Sequence, residues 1–431
     1  MGNILNYIWS NRLFPKDGIY TTGGKKLQVI YTGENNAGEE NVFCNARIKI
    51  DGCTWSGNVV IHDKSSDWEK DIKEKGKIAY TNAILHVTGN DDIETLHPHG
   101  ESVPQLRLRY PHDLADEYNS TLENNRLLPC NGAIGNMPIV QLHNFMSRLM
   151  IERVEEKARQ IYSLHQECNQ KWDETLFKQL SRNFGFGIQG ETFRQWASLL
   201  DYGALCKHRN NLTQIEAMFF GQAGLLNEEC IPPYYRNDAL KSDYYNELLR
   251  EYRFLAGKFH LATMDGRKWN CGNSTPHIRI ARLAALFHSE KINISTMASL
   301  NTITELRDVL RSNLNGYWHN HIQFGSTETA GNSQQRDTQL DLLIINTVVP
   351  ILYLYGKHRK DIAICEKAEN YLHNINGENN SITRKWAMMG VTTNCAADSQ
   401  AIIQLQKAYC NKAKCQDCHF AYAYIKKRIG A

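Results

Sequence analysis

Neither a long membrane span nor a secretory leader is expected from this sequence, and no one sign of charge dominates it. The longest mostly apolar run without a charge, residues 342–355, has 14 positions and contains Asn346 and Pro350. That falls short of the roughly 20 residues needed to cross a bilayer, so the run is expected as a buried helix pair or a kinked core helix. The first twelve residues show no basic stretch followed by an apolar one, and Asn6 stands where a myristoylated Gly2 would want Ser or Thr. Lysine and arginine number 49 against 46 aspartates and glutamates, a formal +3, too near neutrality to mark a nucleic-acid binder by charge alone. Also absent are a dinucleotide fingerprint, a phosphate loop ending in Lys-Ser or Lys-Thr, a Gly-x-Ser-x-Gly elbow and a His-Glu-x-x-His helix. Twelve cysteines are present, eight of them scattered singly, which is not the dense framework of a small disulfide-stapled domain. A reducing, cytoplasmic setting with no membrane partner is expected.

What is present changes character along the chain. In the first third, residues 27–31, 45–50, 57–62, 82–88 and 105–110 alternate apolar with polar positions between Gly, Asn, Asp and Pro, the signature of strands. Asp51-Gly52 between the second and third is a hairpin signal. The charged stretch 65–77, opening Ser-Ser-Asp-Trp, reads as a short helix. Beyond Pro129-Cys130-Asn131-Gly132 the period becomes helical: Ile151, Val154, Ala158, Ile161, Leu164 and Cys168 share one face, and similar stripes follow at 215–226, 244–259 and 278–287. In the segment Gly221-Gln-Ala-Gly224, which falls in one of these stripes, the glycines read as close helix packing. The fold expected is α+β: a mixed sheet over 1–130, a mostly helical domain over 131–379 and a short basic, Cys-rich module over 380–431.

Charge separates these regions. Residues 1–130 carry 14 basic against 18 acidic side chains, whereas residues 384–431 carry eight basic ones, Lys412, Lys414, Lys426, Lys427 and Arg428 among them, against Asp398 and Asp417. Such a cluster is a candidate contact for the phosphates of DNA or RNA. The same segment holds Cys410-x4-Cys415-x2-Cys418. Two thiols separated by two residues can grip one metal from a tight turn, and a third stands close by. Cys395, Cys365 or His419 would supply the fourth ligand, Cys395 being the nearest cysteine upstream. Four thiolates suit zinc or an iron–sulfur cluster equally.

In the first third, Glu39 and Glu40 precede the hairpin, and His62 and Asp63 end its third strand, near Asp67. Carboxylates beside a basic group at strand ends are what a hard cation such as Mg needs to position water against a phosphodiester. His86, alone in the next strand, reads as a packed or hydrogen-bonded residue.

Several motifs together carry a family resemblance: Asn45-Ala-Arg-Ile48, Gly57-Asn-Val-Val-Ile-His62, Ser65-Ser-Asp-Trp68, Ile84-Leu-His-Val87, Val103-Pro-Gln-Leu106 and Phe220-Gly-Gln-Ala-Gly-Leu-Leu226. The chain resembles the domain of unknown function 2851, a bacterial family common in Bacteroidota, with Ser399-Gln400 and the cysteine cluster continuing the likeness. The usual pattern of that family, Ala-Gly-Pro-Asp-Phe before Asn-Ala and then Gly-Asn-Val-Glu-Ile-His, is similar to the PD-(D/E)xK (restriction-endonuclease-like) nuclease core, with His in place of Lys. The resemblance implies a cation-dependent nuclease fold. Here Glu39-Glu40-Asn41 replaces Pro-Asp-Phe, Val60 replaces the strand glutamate, and Asp71 and Lys73 stand where relatives have His-x-His. Valine cannot bind a cation. Either Glu39, Glu40 or Asp63 substitutes, leaving an active Mg-dependent phosphodiesterase with Glu40, His62 and Asp63 at its centre, or the copy is degenerate and binds nucleic acid with weak or no cleavage. A third expectation is a non-enzymatic scaffold held by a structural metal at Cys395, Cys410, Cys415 and Cys418.

Overall fold

The turn at Asp51-Gly52 sets the sheet. Both residues adopt left-handed backbone, φ +46° and +92°, the combination that lets a two-residue loop follow the twist of the strands it joins. It connects β4 (Glu39–Ile50) to β5 (Cys53–Lys64), paired antiparallel from Ile50↔Cys53 to Val42↔Val60 with a bulge between Phe43 and Ala46. In this computed structural model the described residues are 4–15, 17–36, 39–75, 78–124, 130, 137–185, 189–269, 276–314, 316–327 and 335–430, with the side chains of 36, 39, 40, 75, 78, 79 and 121–124 outside the description.

Ahead of the hairpin come α1 (Ile4–Ser10), β1 (Ile19–Tyr20), β2 (Lys26–Tyr31) and β3 (Glu34–Asn36). After it, β6 (Ala83–Asn90) lies parallel to β5, and β7 (Gln105–Arg107) parallel to β6. Parallel neighbours need a crossover, which α2 (Asp67–Lys75) and α3 (Ile78–Thr81) provide. The seven-stranded mixed sheet has the order β1-β2-β4-β5-β6-β7, with β3 on β4. From Val59 to His62, strand β5 is buried on both faces. Val59 and Ile61 leave one face, and Val60 leaves the other to pack with Val42, Trp68, Tyr80, Ala83 and Val103.

By density of contacts the chain forms two units. The sheet unit comprises 1–146, 384–392 and 403–431; the helical unit comprises 147–383 and 393–402. The segment 380–431, expected as a module of its own, is thus shared out between them. In the sheet unit, α4 (His112–Asn124) faces α1 through Tyr118 and Tyr7, whose rings lie 5.4 Å apart. The C-terminal helix His419–Ile429 joins α4 through Tyr424, which donates to Glu117 at 2.6 Å.

The helical unit follows the periodicity read from the sequence: helices Leu212–Gln222, Asp243–Phe259 and His277–His288 lie on the expected stripes. Gly221 is a packing residue, since a Cβ there would stand 2.1 Å from the Tyr252 ring. The apolar run at 342–355 lies in one helical stretch, Asp337–Arg359, which is long and apolar enough to cross a membrane by length and composition but whose most apolar window is 72% buried. Its centre, Ile344–Val348, is a π-helical turn. Pro350 explains it: proline offers no N–H to the carbonyl of Asn346, one turn back. That carbonyl instead accepts from the Asn183 amide at 2.9 Å and the Gln179 amide at 3.3 Å.

Candidate functional site

His62 lies two residues beyond Val60 on β5, so the two side chains leave the same face, and Val60 stands beside His86 of β6 in the parallel register. The two rings are linked. His62 Nδ1 is 2.9 Å from His86 Nε2, His62 Nε2 is 3.2 Å from Asp71 Oδ2, and His86 Nδ1 is 2.9 Å from Thr95 Oγ1. Tyr80 donates its hydroxyl to the same Asp71 oxygen at 3.2 Å, and the Gln105 amide donates to Thr95 Oγ1 at 2.8 Å. With Asp71 ionised, one arrangement of protons satisfies the whole series. The carboxylate only accepts, so His62 carries its proton on Nε2. Its Nδ1 then accepts from His86 Nε2–H, and His86 Nδ1 accepts from the Thr95 hydroxyl. Both rings are neutral in this arrangement. Burial, reinforced by His62 next to it, pushes His86 down to about 3. His62 is left without a lone pair for a cation unless one of these bonds breaks.

The remaining members of the expected catalytic set stand elsewhere or beyond description. Val60 has no solvent exposure. Asp63 follows His62 directly, so alternation along the strand turns it to the opposite face. There it is exposed and acts on Tyr110, whose hydroxyl burial and then Asp63 push up to about 12. Asp63 therefore does not share the His62 pocket. The side chains of Glu39 and Glu40 lie outside the described residues. Strands β4 and β5 pair as far as Val42↔Val60, two residues short of Glu40 and His62 on their respective strands. Asp71 was read only as the replacement of a histidine; its role as the partner of His62 joins a helix to a strand, a contact that spacing alone does not show.

A second cluster lies in the same unit. Cys410, Cys415 and Cys418 do come together, and the fourth cysteine with them is Cys130. All four line one cavity of about 250 Å3. Cys415 and Cys418 bracket a single 3-10 turn, with the Cys418 N–H donating to the Cys415 carbonyl at 3.1 Å, and Cys418 immediately precedes the C-terminal helix. The Cys410 thiol is pushed up to about 12 by burial, then by Cys418 and Cys415, while Lys385 opposes the shift. Cys395, expected as the fourth ligand, is not among the lining residues. It belongs to the helical unit, paired in a short bridge with Asn376. The helix Ala396–Gln404 and the π-helical turn Leu405–Tyr409 fill the interval to Cys410, and a helical run does not bring its own ends together. Cys365 is likewise in the helical unit, and His419 is exposed against Phe145, 5.0 Å between rings. Among the described residues, no group of three or more His, Cys, Asp or Glu side chains has the spacing of a shell around a single metal ion.

The family model described as "Protein of unknown function (DUF2851)" matches residues 2–381. The chain belongs to this family. Cys130, His62 and Asp71 fall within the matched residues of the DUF2851 model; Ser399-Gln400 and Cys410, Cys415 and Cys418, read from the sequence as continuing the likeness, fall beyond them. No curated protein and no solved structure matches the chain at a significant level.

The basic residues beyond the DUF2851 match divide into two kinds. Lys412, Lys414, Lys426 and Lys427 are exposed. Arg428 is engaged internally, with Asp113, with Glu117 at 3.4 Å and with the Tyr424 hydroxyl at 2.7 Å. In the helical unit Lys157 holds the Asn346 side chain at 2.9 Å and the Gln400 side chain at 2.6 Å. This polar network around the π-helical turn carries no sequence motif and is made of contacts between distant positions.

Proposed function

We propose that this protein binds nucleic acid with a nuclease-like sheet unit that no longer cleaves, using exposed lysines of its C-terminal segment as phosphate contacts. The order of α1, an antiparallel set ending in β5, then α2 and β6, follows the helix, three strands, helix and strand of PD-(D/E)xK cores, and supports the likeness. One observation carries the loss of cleavage: Val60 is sealed in the core exactly where a cation-binding carboxylate is expected, and the neighbouring His62 has both ring nitrogens committed to internal partners. Among the described residues, Lys412, Lys426 and Lys427 make none of the ion pairs that occupy Arg428, which favours them as phosphate contacts.

Fluorescence anisotropy with short single- and double-stranded DNA and RNA tests this reading. Binding is expected at low salt, weakening as salt rises with a slope of about −0.9 per duplex phosphate contacted. The combined change Lys412→Glu, Lys426→Glu and Lys427→Glu should weaken binding about tenfold or more and flatten that slope. Absence of binding to every probe at low salt would rule the reading out.

The β4–β5 register, which runs toward Glu40 on one strand and His62 on the other, favours a second reading, an active Mg- or Mn-dependent phosphodiesterase. It requires cleavage that disappears in His62→Ala and in Glu40→Ala.

A further inference from the structure

We infer that Cys130, Cys410, Cys415 and Cys418 are the ligands of an iron–sulfur cluster that ties the end of the chain to the sheet unit. Four cysteines contributed from two places 280 residues apart line one cavity of about 250 Å3. The pocket opens in part to the surface, and four cysteines gathered at one pocket are not explained by packing alone. None of the four is in a disulfide. The remaining walls are mostly apolar, Trp386, Met389, Leu405 and Phe420 among them, a shell that lowers the polarity around a cluster. Lys385 and Lys414 complete the wall and supply positive charge toward thiolates. Cys418 also stands at the start of an 11-residue helix, where backbone N–H groups favour an anionic sulfur.

Spacing chooses the metal. Tetrahedral zinc with sulfurs at about 2.3 Å needs them within about 3.8 Å of one another. Among the described residues no group of three or more His, Cys, Asp or Glu side chains, these cysteines included, is arranged to hold a single metal ion. A polynuclear cluster brings its own iron and sulfide core, so its cysteines stand farther apart around a larger space. On binding, each thiol releases its proton and donates a sulfur lone pair to one iron; no electron transfer is part of the step. The inference is independent of whether the protein binds nucleic acid.

The full-length chain purified without oxygen should be brown, with broad visible absorption, and should contain iron and acid-labile sulfide in equal amounts. Reconstitution with iron salts and sulfide should restore both if they are lost in handling. Cys130→Ser and Cys415→Ser should each lose the colour and most of the iron, whereas Cys395→Ser and Cys365→Ser should retain them. Circular dichroism checks that each variant folds, and the metal content of the unaltered chain decides the matter without any variant. A colourless protein holding zinc, a protein without iron even after reconstitution, or loss of iron in Cys395→Ser with retention in Cys130→Ser would overturn the inference.

Discussion

The two polar clusters of the sheet unit make opposite use of the same kind of side chain. Around His62 all four ring nitrogens of His62 and His86 meet a partner, and Val60 fills the neighbouring position with hydrocarbon. Around Cys410 the thiols surround a space that apolar side chains do not fill. Buried polar groups are costly unless paired. A site that has lost its ligand is expected to close by pairing what remains, while one that keeps its ligand retains room for it. On that criterion the pocket suggested by the nuclease likeness is closed, and the cysteine cavity is not.

Restoring the strand glutamate attacks the comparison most strongly. Val60→Glu puts a carboxylate into a fully buried apolar position, at an expected cost of about 3–5 kcal/mol, typical of an uncompensated buried charge. Thermal unfolding should show a large fall in Tm that Mg does not reverse. A stable variant whose Tm rises with Mg would mean that the pocket is still shaped for a cation. Asp71→Ala should have a smaller effect, about 1–3 kcal/mol, because the His62 N–H and the Tyr80 hydroxyl lose their common acceptor; denaturant unfolding measures it.

Acid should reveal the neutral His86 ring. His86 binds its proton less readily folded than unfolded, so between its ordinary value near 6.5 and its folded value of about 3 the unfolded chain holds more protons. Stability contributed by the neutral ring is complete above about pH 6.5 and falls as the pH drops toward 3, at up to roughly 1.4 kcal/mol per pH unit. His86→Gln should flatten this part of the pH–stability curve, and an unchanged slope would show that His86 is not its source. Least of all should Arg428→Ala matter. Its ion pairs with Asp113 and Glu117 are partly exposed, and such pairs contribute about 1 kcal/mol or less.

Local pattern in the sequence foretold the elements well. The alternation at 27–31 and the Asp51-Gly52 turn predict β2 and the hairpin, and the Ser-Ser-Asp-Trp opening predicts α2. Strands β4 and β5 run longer than read, to Glu39 and Lys64, because a bulge with left-handed Asn45 interrupts the alternation without ending the pairing. The π-helical turn was legible only as an oddity at Asn346 and Pro350. Contacts across long separations were the part that spacing could not supply. Cys395 looked like the nearest fourth ligand, yet helical structure occupies the interval to Cys410, and Cys130 comes from 280 residues earlier in the chain. In the same way Asp71, read as the loss of a histidine, is the acceptor that holds His62.

The closure of the His62 pocket is tested most directly by titrating Mn2+ into protein labelled with 15N in its histidine rings. The His86 signal is expected to keep neutral-ring shifts between about pH 5 and 8, and both the His62 and His86 signals to remain sharp as Mn2+ is added. Selective broadening of His62 by Mn2+, abolished by Glu40→Ala, would contradict a closed pocket and restore a cation to the sheet.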